Sequence, residues 1–259
     1  MMTPHYFHAR TIDDRKALLE RSYRLRYQVY CVERKFLRAE DYPDQMERDR
    51  FDPHAIHVGA IDAHGELAGT ARVVRPSAIG LPILEYCTID PAETFFTPAN
   101  PRLVEVGRLS VSRDYRRRRG DHPVGAGPLV DRRSGYRGDR RGQQDDVFLT
   151  LLKALYQASK RAGATNWVAA TEKSLQRMLA RRGFPFHQIG PESDYFGVVA
   201  PYQMDLQEFE DVIASGRFPA LEDFVEGLAD AQPAEQCLAD AIVRPGDDLV
   251  AAETPAVAL

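Results

Sequence analysis

Leu103-Val-Glu-Val-Gly-Arg-Leu-Ser-Val-Ser112 runs directly into Arg113-Asp-Tyr-Arg-Arg-Arg-Arg-Gly120. Leu103, Val104, Val106, Leu109 and Val111 predict a strand that is apolar on much of both faces, as a strand inside a covered sheet is. Glu105 and Arg108 interrupt it. Residues three apart on a strand face opposite sides unless a bulge intervenes, and Gly107 between them is where a bulge is expected. A buried acid, a kinked strand and a cationic turn together mark a place where a charged ligand meets a strand end. An ordinary core strand with an internal Glu105–Arg108 ion pair has the same pattern.

The rest of the chain frames that strand. Its 259 residues, 44% hydrophobic and 28% charged, are enough for a full globular core. No apolar run is long enough to span a bilayer, and Met1–Arg10 has no signal-peptide core. Cys31, Cys87 and Cys237 lie far apart without a CxxC, which argues against a disulfide framework or zinc cluster and fits a cytoplasmic protein. Charge is uneven although the net is only −4. Residues 113–141 hold ten arginines against four aspartates, and residues 205–240 hold ten acids against one arginine. The middle can therefore attract an anionic partner, while the acidic end reads as a solvated face.

Upstream, Asp13 or Asp14 is expected to cap a helix to about Val32, with Leu18, Leu25 and Val29 on one side. Phe36–Phe51 follows as a strongly charged loop. Ile56–Asp62 and Leu67–Val74 predict a hairpin about Ala63-His64-Gly65-Glu66. His54 and His57, three apart at a strand entry, point to opposite faces and make a poor metal pair. Residues 75–101 read as a proline-rich connection. Downstream, residues 120–145 lack periodicity and read as a flexible insertion. Val147, Phe148, Leu151, Leu152 and Leu155 predict a helix, Asn166–Ala170 a strand, and Thr171 the cap of a second helix stopped by Gly183. Phe184–Ile189 and Phe196–Met204 complete the strands. Weaker helices follow Leu206, and a tail with little to bury begins near residue 229. The expected architecture is α/β, a mixed sheet with helices on both faces over residues 1–205, plus a 206–259 extension.

This order resembles the acetyltransferase (GNAT) fold. Arg26-x-x-x-Tyr30-x5-Phe36, Asp49-x-x-Asp52, Gly69-Thr-Ala-Arg72 and Glu105-x-x-Arg108 resemble the signature of acyl-homoserine-lactone (autoinducer) synthases, in which the Tyr30 and Phe36 positions are usually Phe and Trp. Tyr23-Arg-Leu-Arg-Tyr-Gln-Val-Tyr-Cys31, Thr171-Glu-Lys-Ser-Leu-Gln-Arg-Met-Leu179 and Ile189-Gly-Pro-Glu-Ser-Asp-Tyr195 bring the chain closer to another group. They resemble the acyltransferases found with PEP-CTERM/exosortase systems, relatives of long-chain N-acyl amino acid synthases. The resemblance covers about residues 10–210. It implies transfer of a fatty acyl group from acyl carrier protein, less often coenzyme A, to the amine of an amino acid or similar small molecule, with no metal and no tightly bound cofactor.

Thioester aminolysis needs a neutral amine, an oxyanion stabiliser and a docked donor. Glu105 is the candidate base, with Arg108 beside it and Tyr195 as acid for the leaving thiol. By resemblance, Arg26, Asp49, Asp52 and Arg72 order the acceptor pocket through mutual ion pairs, and Tyr30 and Phe36 line it. Leu109, Ser110 and Val111 would hold the donor arm by backbone groups. Arg116, Arg117, Arg118, Arg119 and Gly120 would meet its phosphate or the acidic face of a carrier protein. The fold's usual Gln/Arg-x-x-Gly-x-Gly/Ala loop lacks its second small residue here, because Asp121-His122 follows Gly120, which favours carrier protein over coenzyme A. Two other readings stand beside this one. An autoinducer synthase using S-adenosylmethionine is disfavoured by Tyr30, Phe36 and the carboxy-terminal extension. A non-enzymatic module binding nucleic acid or membrane through the arginine block is disfavoured by the net negative charge and by only Tyr115 and Tyr136 interleaving it.

Overall fold

A computed structural model describes residues 7–93, 100–116, 140–195, 197–226 and 228. In chain order the elements are β1 (Phe7–Thr11), α1 (Lys16–Tyr27), β2 (Ala55–Asp62), β3 (Leu67–Val74), α2 (Ile83–Tyr86), β4 (Leu103–Val111), α3 (Arg140–Arg161), β5 (Asn166–Thr171), α4 (Lys173–Arg181), β6 (His187–Gln188), β7 (Ser193–Asp194), β8 (Val198–Asp205) and α5 (Leu206–Ala214). The strands lie in the order β1-β2-β3-β4-β5-β8-β6, with β7 pairing the start of β8. Neighbours are antiparallel except β4 and β5. This is a mixed sheet flanked by helices.

Every residue of β3 is buried, which its unbroken Leu-Ala-Gly-Thr-Ala-Arg-Val-Val run requires of a central strand covered on both faces. One face packs α3 through Val147, Leu151, Ala154, Leu155 and Ala158, spaced at three and four, against Val58, Ala71, Val73 and Val104. The other face is smaller. There Phe51, Val74, Leu81, Ile83, Leu103, Val168 and Ile189 cluster around the start of β4. The carboxy-terminal helices join the first core: Phe209, Ile213, Leu221 and Phe224 are buried, and Phe209 stacks on Phe184 at 4.8 Å.

Several local expectations change. Residues Phe7–Thr11 form an edge strand that the mixed polar and apolar sequence concealed. Neither aspartate caps α1; Arg15 holds the cap position without a side-chain bond, because the Asp13 carboxylate turns to His57. After Tyr27 the helix widens into a π-turn over Gln28–Glu33, closed by Arg34 N–H donating to the Val29 carbonyl at 2.9 Å. The 75–101 connection contains α2. Thr171 ends β5, and Glu172 takes the cap position of α4. Within Phe184–Ile189 only His187 and Gln188 pair as strand, while Phe184 and Phe186 turn into the core. Helix α3 begins at Arg140, inside the expected insertion; residues 120–139 of that insertion, Arg117–Arg119 before it, Phe196 and the tail from 229 lie outside the described residues.

Candidate active site

Three parallel pairs, Leu103 with Asn166, Val104 with Trp167 and Glu105 with Val168, join β4 to β5. Both strands continue, to Val111 and Thr171, but their pairing does not. A slot therefore opens beside β4 immediately after Glu105. Antiparallel register also sets His57, Arg72 and Gly107 opposite one another across β2, β3 and β4, so His57 and Arg72 share the face that carries Glu105.

The bulge falls one residue beyond Gly107. Thr70 pairs Ser110 and Arg72 pairs Gly107, so Arg108 and Leu109 together oppose Ala71. Arg108 has φ +51°, a left-handed conformation that a non-glycine residue adopts only when its surroundings hold it there. The kink brings Arg108 to the Glu105 face, yet the expected Glu105–Arg108 ion pair does not form. Arg108 instead donates to Glu47 at 3.1 Å and Asp49 at 3.0 Å.

These acids belong to the charged loop after α1. Arg26 donates through Nε to Glu47 at 2.5 Å and through both terminal nitrogens to Asp52 at 2.7 and 3.0 Å. Arg72 donates to both oxygens of Asp49 at 2.6 Å and to Asp52 at 2.6 Å. Arg26, Arg72 and Arg108 thus interlock with Glu47, Asp49 and Asp52, three charges against three, and a bidentate guanidinium suits each corner. His57 extends the network, with Nε2 at 3.0 Å from Asp52 and Nδ1 at 2.7 Å from Asp13. Burial would push the Asp49 and Asp52 carboxyls up, but their arginine and histidine partners outweigh it and hold both below the usual carboxylate range. Glu47 and His57 were missed as site residues in the sequence. Glu47 is one of six acids between positions 40 and 52, with nothing local to single it out.

Glu105 stands apart from this network. Its carboxylate accepts the Ile83 backbone N–H at 2.7 Å, and its neighbours on that face are Leu103, Val74 and Val168. Burial pushes its pKa up to about 7, against a weaker opposite pull from the Ile83 N–H and the charges of Arg72 and Arg108. A carboxylate so placed shares its proton near neutrality, as a general base should.

Of the other expected site residues, Tyr30, Phe36, Leu109, Ser110 and Val111 lie on or beside the same strand. Tyr30, in the π-turn, donates its hydroxyl to the Leu109 carbonyl at 3.2 Å and lies under the Arg108 guanidinium at 5.5 Å. Phe36 sits 6.4 Å from the Tyr30 ring. Ser110 and Val111 are buried, and the Ser110 hydroxyl donates to the Arg108 carbonyl at 3.3 Å. Tyr195 stacks on Tyr86 of α2 at 3.6 Å, with rings 15° from parallel. Arg116 makes an ion pair with Glu33 and is committed to the α1 side. Arg117, Arg118, Arg119 and Gly120 lie outside the described residues. A cleft of about 620 Å³ opens against the network, lined by Asp13, Tyr23, Asp52, His57 and Arg75 among others but not by Glu105. No group of three or more metal-ligating side chains occurs among the described residues.

Residues 25–123 match the family model of the acetyltransferase (GNAT) domain. The acyl-homoserine-lactone synthase LasI superposes with a TM-score of 0.50 at 19% identity, over 77% of this chain and 88% of LasI. BjaI, a CoA-dependent acyl-homoserine lactone synthase solved with SAM and isopentyl-CoA, gives a TM-score of 0.51 at 19% identity, over 83% and 90%. FeeM, an N-acyl amino acid synthase from uncultured soil microbes, gives 0.48 at 15% identity, over 79% and 93%. No curated protein matches the chain by sequence. The fold is the GNAT fold.

Proposed function

We propose that the protein is an N-acyltransferase that moves a fatty acyl group from an acyl carrier protein or coenzyme A thioester to the amine of an amino acid or similar small molecule. The observation that carries this reading is the parting of β4 and β5 directly after Glu105, a base held near neutrality at the mouth of a slot. The thioester arm lies along β4 in that slot, in place of the missing β5 pairs. The amine nitrogen attacks the thioester carbonyl carbon, and its proton passes to Glu105 directly or through one water. Backbone N–H groups at the Arg108–Leu109 bulge stabilise the oxyanion. As the C–N bond forms the C–S bond breaks, and the departing sulfur takes a proton from Tyr195. The residues of the ion network act by fixing the acceptor side of the site rather than by moving protons.

The resemblance to acyltransferases of PEP-CTERM/exosortase systems supports the same donor and acceptor classes. Tyr30 and Phe36 stand where autoinducer synthases usually have Phe and Trp, which favours an amino acid type acceptor over S-adenosylmethionine. Expression in a bacterium, followed by mass spectrometry of organic extracts, tests the reading. New N-acylated amines that vanish with Glu105→Gln support it. Extracts unchanged by expression, together with no thiol release by the purified protein from acyl carrier protein or coenzyme A thioesters, refute it.

A further inference from the structure

His57 hangs on the edge of the ion network with no role of its own assigned so far, yet it is buried, and both ring nitrogens abut carboxylate oxygens. A neutral imidazole offers one N–H, so it can satisfy only one of two such acceptors; the imidazolium satisfies both. Asp13 comes from the turn after β1 and also accepts the His57 backbone N–H at 3.1 Å. Asp52 comes from the charged loop and is shared with Arg26 and Arg72. From α1, the Tyr23 ring meets the imidazole edge-on at 5.5 Å, with the Arg26 guanidinium 5.3 Å from that ring. The two arginines would repel an imidazolium, but Asp13 and Asp52 are in direct contact and they are not.

We propose that His57 is a positioning residue: its imidazolium, clamped between Asp13 and Asp52, fixes Asp52 and through it the Arg26–Arg72 corner against which the acceptor binds. The site is then in its binding form while His57 carries both protons, and loosens when it loses one. Burial alone would push the imidazole down, but the bonds to Asp13 and Asp52 hold its pKa above the ordinary histidine value. The loss therefore comes as pH rises above the usual histidine range.

The kinetic arm of this inference rests on the acyl-transfer reading; the structural arm does not. Nitrogen-15 spectra of the full-length protein would follow the His57 ring and the Nε–H signals of Arg26 and Arg72 across about pH 5–9. The expected result is a doubly protonated ring at low pH and arginine signals that move with the His57 midpoint. Asp13→Asn, at a half-exposed residue outside the arginine network, should lower that midpoint by about one to three pH units. His57→Gln, which can still donate one hydrogen bond, should fix the arginine signals at their alkaline positions. In turnover, acceptor KM should rise several-fold over the same range while kcat changes less. Arginine signals that stay flat while His57 titrates, or a ring with one proton throughout, would overturn the proposal. Arginine signals that follow His57 in a protein without turnover would uphold the clamp and count against acyl transfer alone.

Discussion

Glu105 and Val168 are the last residues through which β4 and β5 pair, although β4 runs on for six residues and β5 for three. The carboxylate is thus placed where the sheet stops being continuous. Its apolar neighbours are what make it basic, and the same neighbours make its ionisation costly to the fold.

That cost gives a stability prediction. Folding raises the Glu105 pKa from 4.5 to about 7, so the group's contribution to stability is fully present below about pH 4.5 and is lost as pH rises through about 7. Glu105→Gln cannot ionise and should be more stable than the natural protein at alkaline pH, by roughly 2–3 kcal/mol. Thermal unfolding at about pH 6 and pH 9 would measure it. Equal melting temperatures of the two proteins at the higher pH would show that Glu105 is well solvated.

The ion network predicts a different response. Asp52 accepts from Arg26 and Arg72 and contacts His57, so Asp52→Asn leaves three cationic or polar groups without their shared anion. Removing one partner from a buried charge cluster typically costs about 3–5 kcal/mol. Urea unfolding should show a loss of this size with the m-value unchanged, and an exposed ion-pair change such as Glu66→Gln at Arg21 should stay within about 1 kcal/mol.

Much of this was legible in the sequence because burial was legible. The central hairpin and β4 announce themselves by apolar runs bounded by turn residues, and the β4 kink by a charged pair flanking a glycine. The bulge was displaced by one residue because the ion partners of Arg108, not the flexibility of Gly107, determine where the chain bends. The spacing of Glu105 and Arg108 suggested an ion pair, but Arg108 finds Glu47 and Asp49 sixty-one and fifty-nine positions away, which no local pattern reports. His57 read only as half of a poor metal pair with His54 for the same reason: Asp13 reaches it from forty-four residues upstream. Strand β1 was hidden because a five-residue edge strand with His8 and Arg10 in it carries too little alternation.

Gly190 marks where the second face closes over the Glu105 cluster. A methyl group there would come within 2.1 Å of the Thr88 carbonyl oxygen and 2.9 Å of the Pro201 ring. The first contact is with backbone and cannot be relieved by a rotamer change, so Gly190→Ala should destabilise by about 1–3 kcal/mol. A melting temperature within error of the natural protein would mean that the Thr88–Asp90 segment moves aside freely.

Truncation separates two parts of the carboxy-terminal region. Ending the chain after about residue 230 should leave the melting temperature nearly unchanged, because the tail offers few apolar anchors. Ending it after residue 217 also removes Leu221 and Phe224, each buried at 1% exposure, and should cost several kcal/mol, since large buried residues contribute about 2–5 kcal/mol each. Calorimetry of both truncated proteins gives the comparison, and a large loss in the first would show that the tail packs on the core.

In the proposed reaction Glu105 takes the proton from the attacking amine. The pH dependence of thiol release from an acyl thioester with amine present, for the natural protein and Glu105→Gln, tests that step. Natural activity should climb as pH rises through about 7, where Glu105 ionises. The Glu105→Gln protein should fold, bind the donor normally, turn over about 10²–10⁴-fold more slowly, and recover part of the loss at high pH as the amine deprotonates unaided. Turnover near the natural rate in that mutant, with the same pH profile, would rule out proton transfer to Glu105 and leave it as a buried structural acid.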